Sequence, residues 1–262
     1  MINKKNIKNL LLNEIENYIV LYEDGSSLYN IESELYNEHK FFSKEAKDFI
    51  DNNFKKINKK NNSGGDVIYG LTSFENHSNR MFVGFEKGDY KTYMATREKG
   101  YLKYIQNGDF FIIPIIVNIV VSTNDNKIMV IKTKEYEELF GDFIRDIDVV
   151  DDKIDFLGST RRITSEVVGD NNLEIFDYKI IGVYKSAYSC IFVMSQKLNI
   201  NSNEILDRNK NKDIAIDFIS NKESALGKII CDGFYSKHVR QAFKFYLKET
   251  YGSYKYMNVK LV

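Results

Sequence analysis

The chain has no tryptophan, a single proline and only two cysteines in 262 residues. Cys190 and Cys231 form no Cys-x-x-Cys pair, and His39, His77 and His238 show no metal-ligand spacing. A disulfide scaffold and a structural zinc site are therefore excluded, and the cysteine usage fits a reducing, cytoplasmic location. Net charge is missing too: 37 basic and 37 acidic side chains cancel. That balance argues against a polyanion-coating protein with an extended nucleic-acid surface. The most apolar stretch, Phe110 to Val121, is about a dozen residues long, whereas a spanning helix needs roughly 20. Near the start, the apolar run is broken by Asn13 and Glu14 and no small-residue cleavage site follows, so no signal peptide is expected. Neither a Gly-x-Ser-x-Gly elbow nor a dinucleotide glycine fingerprint occurs. The tract NKKNNSGGD (58–66) lacks the Gly-Lys-Ser/Thr of a phosphate loop and reads as a turn.

What is present is enough apolar sequence to bury a core. The first sixty residues read as helical: Leu28, Ile31, Leu35 and Tyr36 recur at helical spacing, and Ser43 caps KEAKDFIDNNFKKI. From Asp66 the period changes to that of strands. DVIYGLTSF and NRMFVGFEKGD pair, YKTYMATRE continues as a strand, and FFIIPIIVNIVVS forms a hairpin with KIMVIKTKEY. Pro114 removes a ladder donor, so it should mark a bulge, an edge or a strand start. KIDFLGSTRRITSEVVGD reads as a helix packed through Ile163 and Val167. Two strands follow, LEIFDYKIIGVY and YSCIFVMSQKL, then the short strand NKDIAIDFIS and one closing helix from Ser224. The order predicts an α/β sandwich with helices covering a mixed sheet. No Pro/Ser-rich linker divides the chain, so the N-terminal part is expected to be an extension of the same folded unit.

Four strings resemble the Nudix superfamily: IIPIIVNIVVSTNDNKIMVIKTKEY, LFGDFIRD, the helix RRITSEVVG (161–169), and YKIIGVY followed by YSCIFVMSQKL. VGFEKGDYKTYMATRE adds a narrower similarity to the UDP-sugar pyrophosphatase branch. The resemblance implies a Nudix-like α/β/α sandwich with a mixed sheet at 109–262, preceded by an extension of helices and strands at 1–108. It also implies hydrolysis of a nucleoside diphosphate linked to another group, assisted by Mg²⁺ or Mn²⁺ held by carboxylates on one helix.

Matched residue by residue, the box is eroded. Arg161 stands at the box arginine, Ile163 at its apolar position and Glu166 at its last glutamate. Arg162 and Ser165 stand where glutamates are expected, Val168 where glycine is, and Lys153 at the upstream glutamate. Glu166 is thus the one catalytic and metal-ligand candidate the resemblance supports, and Asp151, Asp152 and Asp155 could join a shifted site. On the residues alone, Glu166 also reads as a solvated glutamate and the aspartates as a solvated loop. Arg162 is placed to pair with Glu166 four residues on, or with Arg161 to hold a ligand phosphate. Tyr90 and Tyr93 could stack on a base, with Lys91 and Arg97 facing phosphate, although a plain core and interface role is the favoured reading of such rings. Cys190 reads as a buried inert thiol, Asp217 as an exposed strand residue, and His238 as part of a basic helix face. The expectation is a binder of a nucleotide-like small molecule in which standard hydrolysis is lost or weak. The alternative is an active, divergent pyrophosphohydrolase, and a protein partner stays open.

Overall fold

A computed structural model describes residues 2–3, 19–23, 26–27, 31–37, 40–57, 66–77, 80–133, 137–170, 175–186, 188–210, 215–232 and 235–259. The strands β1 (Ile2–Asn3), β2 (Ile19–Tyr22), β3 (Ser26–Ser27) and β4 (Ile31–Leu35) lead into helix α1 (Lys44–Ile57). The antiparallel pair β5 (Val67–His77) and β6 (Arg80–Asp89) precedes two short helices, α2 (Tyr90–Thr96) and α3 (Leu102–Gln106). Next come β7 (Ile115–Ser122), β8 (Lys127–Lys132), β9 (Glu137–Glu138) and β10 (Phe140–Phe143). The small hairpin β11 (Val149–Val150) and β12 (Lys153–Ile154) then leads into α4 (Phe156–Val168). The chain closes through β13 (Ile175–Lys185), β14 (Cys190–Leu198), α5 (Ser202–Asn209), β15 (Ile216–Ser220), α6 (Glu223–Cys231) and α7 (Lys237–Tyr251).

The central sheet runs β15-β8-β7-β14-β13-β2, with β10 pairing alongside β7, β9 on β8 and β3 on β13. It is mixed, since β7 and β14 are parallel while their other neighbours are antiparallel. Alternation along β7 and β14 sends side chains to two separate cores. Ile115, Val117, Ile119, Phe192 and Met194 join the core under α4. Val120, Ile191 and Val193 join the one under α6 and α7. Burial on both faces explains why these strands read as near-continuous apolar runs. Ile163 and Val167 of α4 are buried in the first core, as their spacing predicts. Helices thus cover both faces of a mixed sheet.

A second sheet, β1-β5-β6-β4, packs on the α4 side. Phe74 of β5 and Phe156 of α4 both meet the Phe192 ring of β14, at 6.3 and 4.8 Å between centroids. Backbone bonds tie the two sheets directly: Leu71 N–H donates to Ile113 O at 2.8 Å and Tyr69 N–H to Ile144 O at 3.2 Å. Pro114 sits just before β7, bridged to Gly70, where a missing donor costs no ladder bond. None of the described helices is long and apolar enough to cross a membrane.

Three expectations are corrected and one further helix is found. Within the segment read as helical at 28–40, Ile31–Leu35 is a strand whose Ile31, Ser33 and Leu35 alternate with exposed Glu32 and Glu34, paired in parallel with β6. YKTYMATRE is helix α2 rather than a strand, because the Asp89 carboxylate caps it by accepting from Thr92 N–H at 2.7 Å. The closing helix is two helices, α6 ending at Cys231 and α7 capped by Ser236. Helix α5 was not expected, although Asn201 and Glu204 form a capping box there. Ser43 does cap α1, its hydroxyl accepting from Ala46 N–H at 3.1 Å. Residues 58–65 of the NKKNNSGGD tract, Leu28 and His39 lie outside the described residues.

A close approach of backbone to ring in the α7 core occurs at Gly182 of β13. A methyl there would lie 2.2 Å from the ring of Phe245, which is completely buried. Gly182→Ala is expected to destabilise the protein by about 1–3 kcal/mol through overpacking. Urea unfolding checks this: the midpoint should fall while the slope stays constant.

Candidate functional site

Helix α4 carries the residues that the box pattern singles out. Its first turn is capped by the Asp155 carboxylate, which accepts from Gly158 N–H at 2.8 Å. It ends on Gly169, whose φ of 78° only glycine adopts without strain. Buried hydroxyls on the helix satisfy themselves on the preceding turn, Thr160 on Phe156 O and Thr164 on Thr160 O.

Arg162 leaves the helix beside that buried face and enters a nest of oxygens. Its Nε donates to Asp148 Oδ1 at 2.9 Å and its Nη2 to Asp148 Oδ2 at 2.7 Å, a bidentate fork. Nη1 donates to Asp142 Oδ2 at 2.8 Å, Nη2 to the Phe143 carbonyl at 3.3 Å, and Glu166 Oε1 lies 3.5 Å from Nη1. The Asp148 side chain is only 2% exposed and that of Arg162 13%, against 54% for Glu166. Burial alone would lower the pKa of Arg162. The hydrogen bonds and charges of Asp148 and Asp142 outweigh it and hold the guanidinium above its usual range. The i, i+4 contact with Glu166 is therefore present, but it is the weakest of the set.

The loop that supplies these acids also builds a cleft of about 580 Å³. Asp142, Phe143, Arg145 and Asp146 line one side, Asp66 and Tyr90 the other. Arg145 reaches back to Asp142 at 2.5 Å and remains half exposed. Asp146 accepts from the Tyr69 hydroxyl at 2.6 Å and pairs with Lys87 at 3.1 Å, and these bonds hold its pKa below the ordinary carboxylate value. The rings of Tyr90, Tyr93 and Phe143 form a triangle with centroids 5.4 to 5.9 Å apart.

The residues nominated from sequence thus divide. Tyr90 lines the cleft, and Tyr93 supports it from a buried position with the Arg97 guanidinium 5.6 Å from its ring centroid. Lys91 is turned to α1, where it pairs with Asp51 and lies over Phe54. Arg161 is exposed and lies over the Tyr178 ring. Asp151 and Asp152 occupy the β11–β12 turn with φ of 51° and 57°, Asp155 is the helix cap, and Asp217 pairs at 4.0 Å with Lys132 at the sheet's far end. Arg162 and Glu166 are together. The pattern missed Asp142, Arg145, Asp146 and Asp148, whose only signal was the density of charge in GDFIRDID.

These donors do not fit a resident divalent cation. Asp142 and Asp148 are spaced around a planar guanidinium and already hold it. Among the described residues, no three His, Cys, Asp or Glu side chains are placed to share a metal ion.

Away from the cleft, Cys190 is buried and its thiol is pushed up to about 12 by burial. His238 departs from the basic-face reading: it is largely buried, and its Nδ1 lies 2.9 Å from the Tyr184 hydroxyl. Burial lowers its pKa to about 4.

Two outcomes follow. Arg162→Ala strands the buried Asp148 carboxylate and should cost about 3–5 kcal/mol by chemical denaturation, with Arg162→Lys recovering only part of it because a lysine cannot make the fork. For His238 the folded state favours the neutral imidazole. Its contribution is complete above the ordinary value of 6.5 and is lost as pH falls toward about 4. The urea midpoint of the wild type should drop more steeply over that window than that of His238→Gln.

No protein-family profile matches the chain, and no curated protein matches it. Among solved structures it is similar to Tm1382, a candidate Nudix hydrolase, at 13% identity and a TM-score of 0.40, covering 52% of this chain and 72% of that one. It is also similar to DR0079 from Deinococcus radiodurans, at 12% identity and a TM-score of 0.32, covering 50% and 80%. A third is the Bacillus subtilis pyrophosphohydrolase BsRppH in a point-mutant form, at 11% identity and a TM-score of 0.33, covering 53% and 84%. Likeness at this level carries no argument about site or activity.

Proposed function

We propose that this protein is a binding module on a Nudix-like scaffold, taking a nucleotide or a nucleoside-diphosphate-linked ligand in the cleft beside α4. Standard Mg²⁺- or Mn²⁺-dependent hydrolysis is absent or very weak in this reading. The observation that supports it is the Arg162 guanidinium lodged among Asp142, Asp148 and the Phe143 carbonyl. A permanent cation there repels a divalent ion and occupies the oxygens that would bind it. Glu166 alone is then a marginal anchor.

The cleft supplies recognition without a metal. A base can stack against Tyr90, beside the Phe143 ring. Asp66 and Asp146 accept from amino or hydroxyl groups, and Arg145 is the half-exposed cation placed to meet phosphate. Arg162, committed to its acids, supports this wall instead of touching the ligand, which changes the role first assigned to it.

Isothermal titration of a panel of nucleoside diphosphates and nucleotide sugars, in EDTA and in Mg²⁺, tests the reading. Binding should be the same in both buffers, and Tyr90→Ala should weaken it by about 1–3 kcal/mol. Turnover near 1 s⁻¹ or above, of the order typical for enzymes, that disappears in Glu166→Gln would establish the hydrolase alternative instead.

A further inference from the structure

A second hollow, of about 240 Å³, shares Asp142 and Phe143 with the cleft. Its polar wall is made by Asn118, Glu138, Ser189, Ser236 and His238, and the Tyr93 and Phe143 rings line it as well. The elements that meet here are β7, β9, β10, the start of β14 and the first turn of α7, so the cavity belongs to the framework of the central sheet.

Its charge is one-sided. Neither lysine nor arginine lines it. Asp142 is neutralised by Arg162 and Arg145, but Glu138 has no ion-pair partner among the described residues. Glu138 is half buried, and burial raises its pKa above the ordinary carboxylate value. A carboxylate withdrawn from water without a counter-charge is costly, and a cation brought to it recovers that cost. His238 does not compete, since its imidazole is uncharged at neutral pH. The hydroxyls of Ser189 and Ser236 line the hollow and offer acceptors for the remaining N–H groups of an ammonium. The Tyr93 and Phe143 rings line the hollow, and aromatic rings attract cations.

We propose that this hollow binds a small organic cation, an ammonium or amidinium on a short apolar stem, with Glu138 as counter-charge and Tyr93 and Phe143 as its wall. With a share of about 30 Å³ for each water in the liquid, the space holds roughly eight waters or a ligand of similar heavy-atom count. Ile116, Leu139 and Ile191 line the same hollow and suit the stem. The proposal does not rest on the nucleotide reading of the neighbouring cleft.

Titration with butylamine and benzylamine, set against butanol and benzyl alcohol at constant ionic strength, tests it. The amines should bind at least tenfold more tightly than the matching alcohols. Glu138→Gln, at a partly exposed position that leaves the fold intact, should remove that preference while leaving nucleotide titrations unchanged. In the wild type, amide shifts in NMR spectra should cluster at Ser189 and Ser236. Equal binding of amine and alcohol by the wild type, or a preference that survives in Glu138→Gln, overturns the assignment. Loss of nucleotide binding alone bears on the cleft and not on this hollow.

Discussion

The fork between Arg162 and Asp148 is the contact on which the site side of this protein depends. Asp148 is almost wholly buried, and a carboxylate there is tolerable only when paired and hydrogen-bonded. Both of its oxygens take one edge of the guanidinium, Nε and Nη2, and it also accepts from Arg145 N–H at 3.0 Å. Its own carbonyl accepts from Asp155 N–H at 2.8 Å, which sets the residue that caps α4. Asp148 therefore ties the turn after β10 to Arg162 through its side chain and to the start of the helix through its carbonyl. Replacing such a pair by apolar groups can be neutral in a core. Here the Arg145 N–H would be left without its side-chain acceptor.

The same fork decides the electrostatics. Arg162 and Arg145 bring two positive charges to Asp142, Asp148 and Glu166, so only about one negative charge remains around the helix face. A divalent ion gains from concentrated, unclaimed carboxylate, and this arrangement has spent most of its own on an internal cation. The cleft wall is built from the same segment, with Phe143 held through its carbonyl and Asp146 tied to Tyr69 and Lys87.

Much of the fold was legible because the central strands are short, Ile- and Val-rich apolar runs bounded by turn residues. Ile115, Val117 and Ile119 enter one core and Val120 the other, which is why the run is apolar throughout. The failures fall where two periods compete in a short segment. Ile31, Leu35 and Tyr36 fit a helix, yet Ile31, Ser33 and Leu35 also alternate, and the β6 edge decides between them. At 90–96 the aromatic and threonine content suggested a strand, and one cap, Asp89, decided for a helix. The site was legible only in part. Arg162 stood out by its place in the helix, and Glu166 was its local partner by spacing. Asp148 and Asp142, 14 and 20 residues upstream, meet it only through the turn between β10 and α4. No local periodicity encodes that meeting.

Phe143 joins the two hollows. Its ring contributes to the walls of both, and its backbone ends β10 where that strand's pairing with β7 stops. Gly141, two residues earlier, must lack a side chain, since a methyl there would lie 2.0 Å from Asn118 Oδ1 and 2.9 Å from the Val117 carbonyl. Strand β10 can therefore lie against β7 in this register only with glycine at that point. The register delivers Asp142 and Phe143 to the edge of the sheet, and Arg162 holds them there. Both hollows are consequences of how one short strand ends, and helix α4 contributes to them chiefly by anchoring that end.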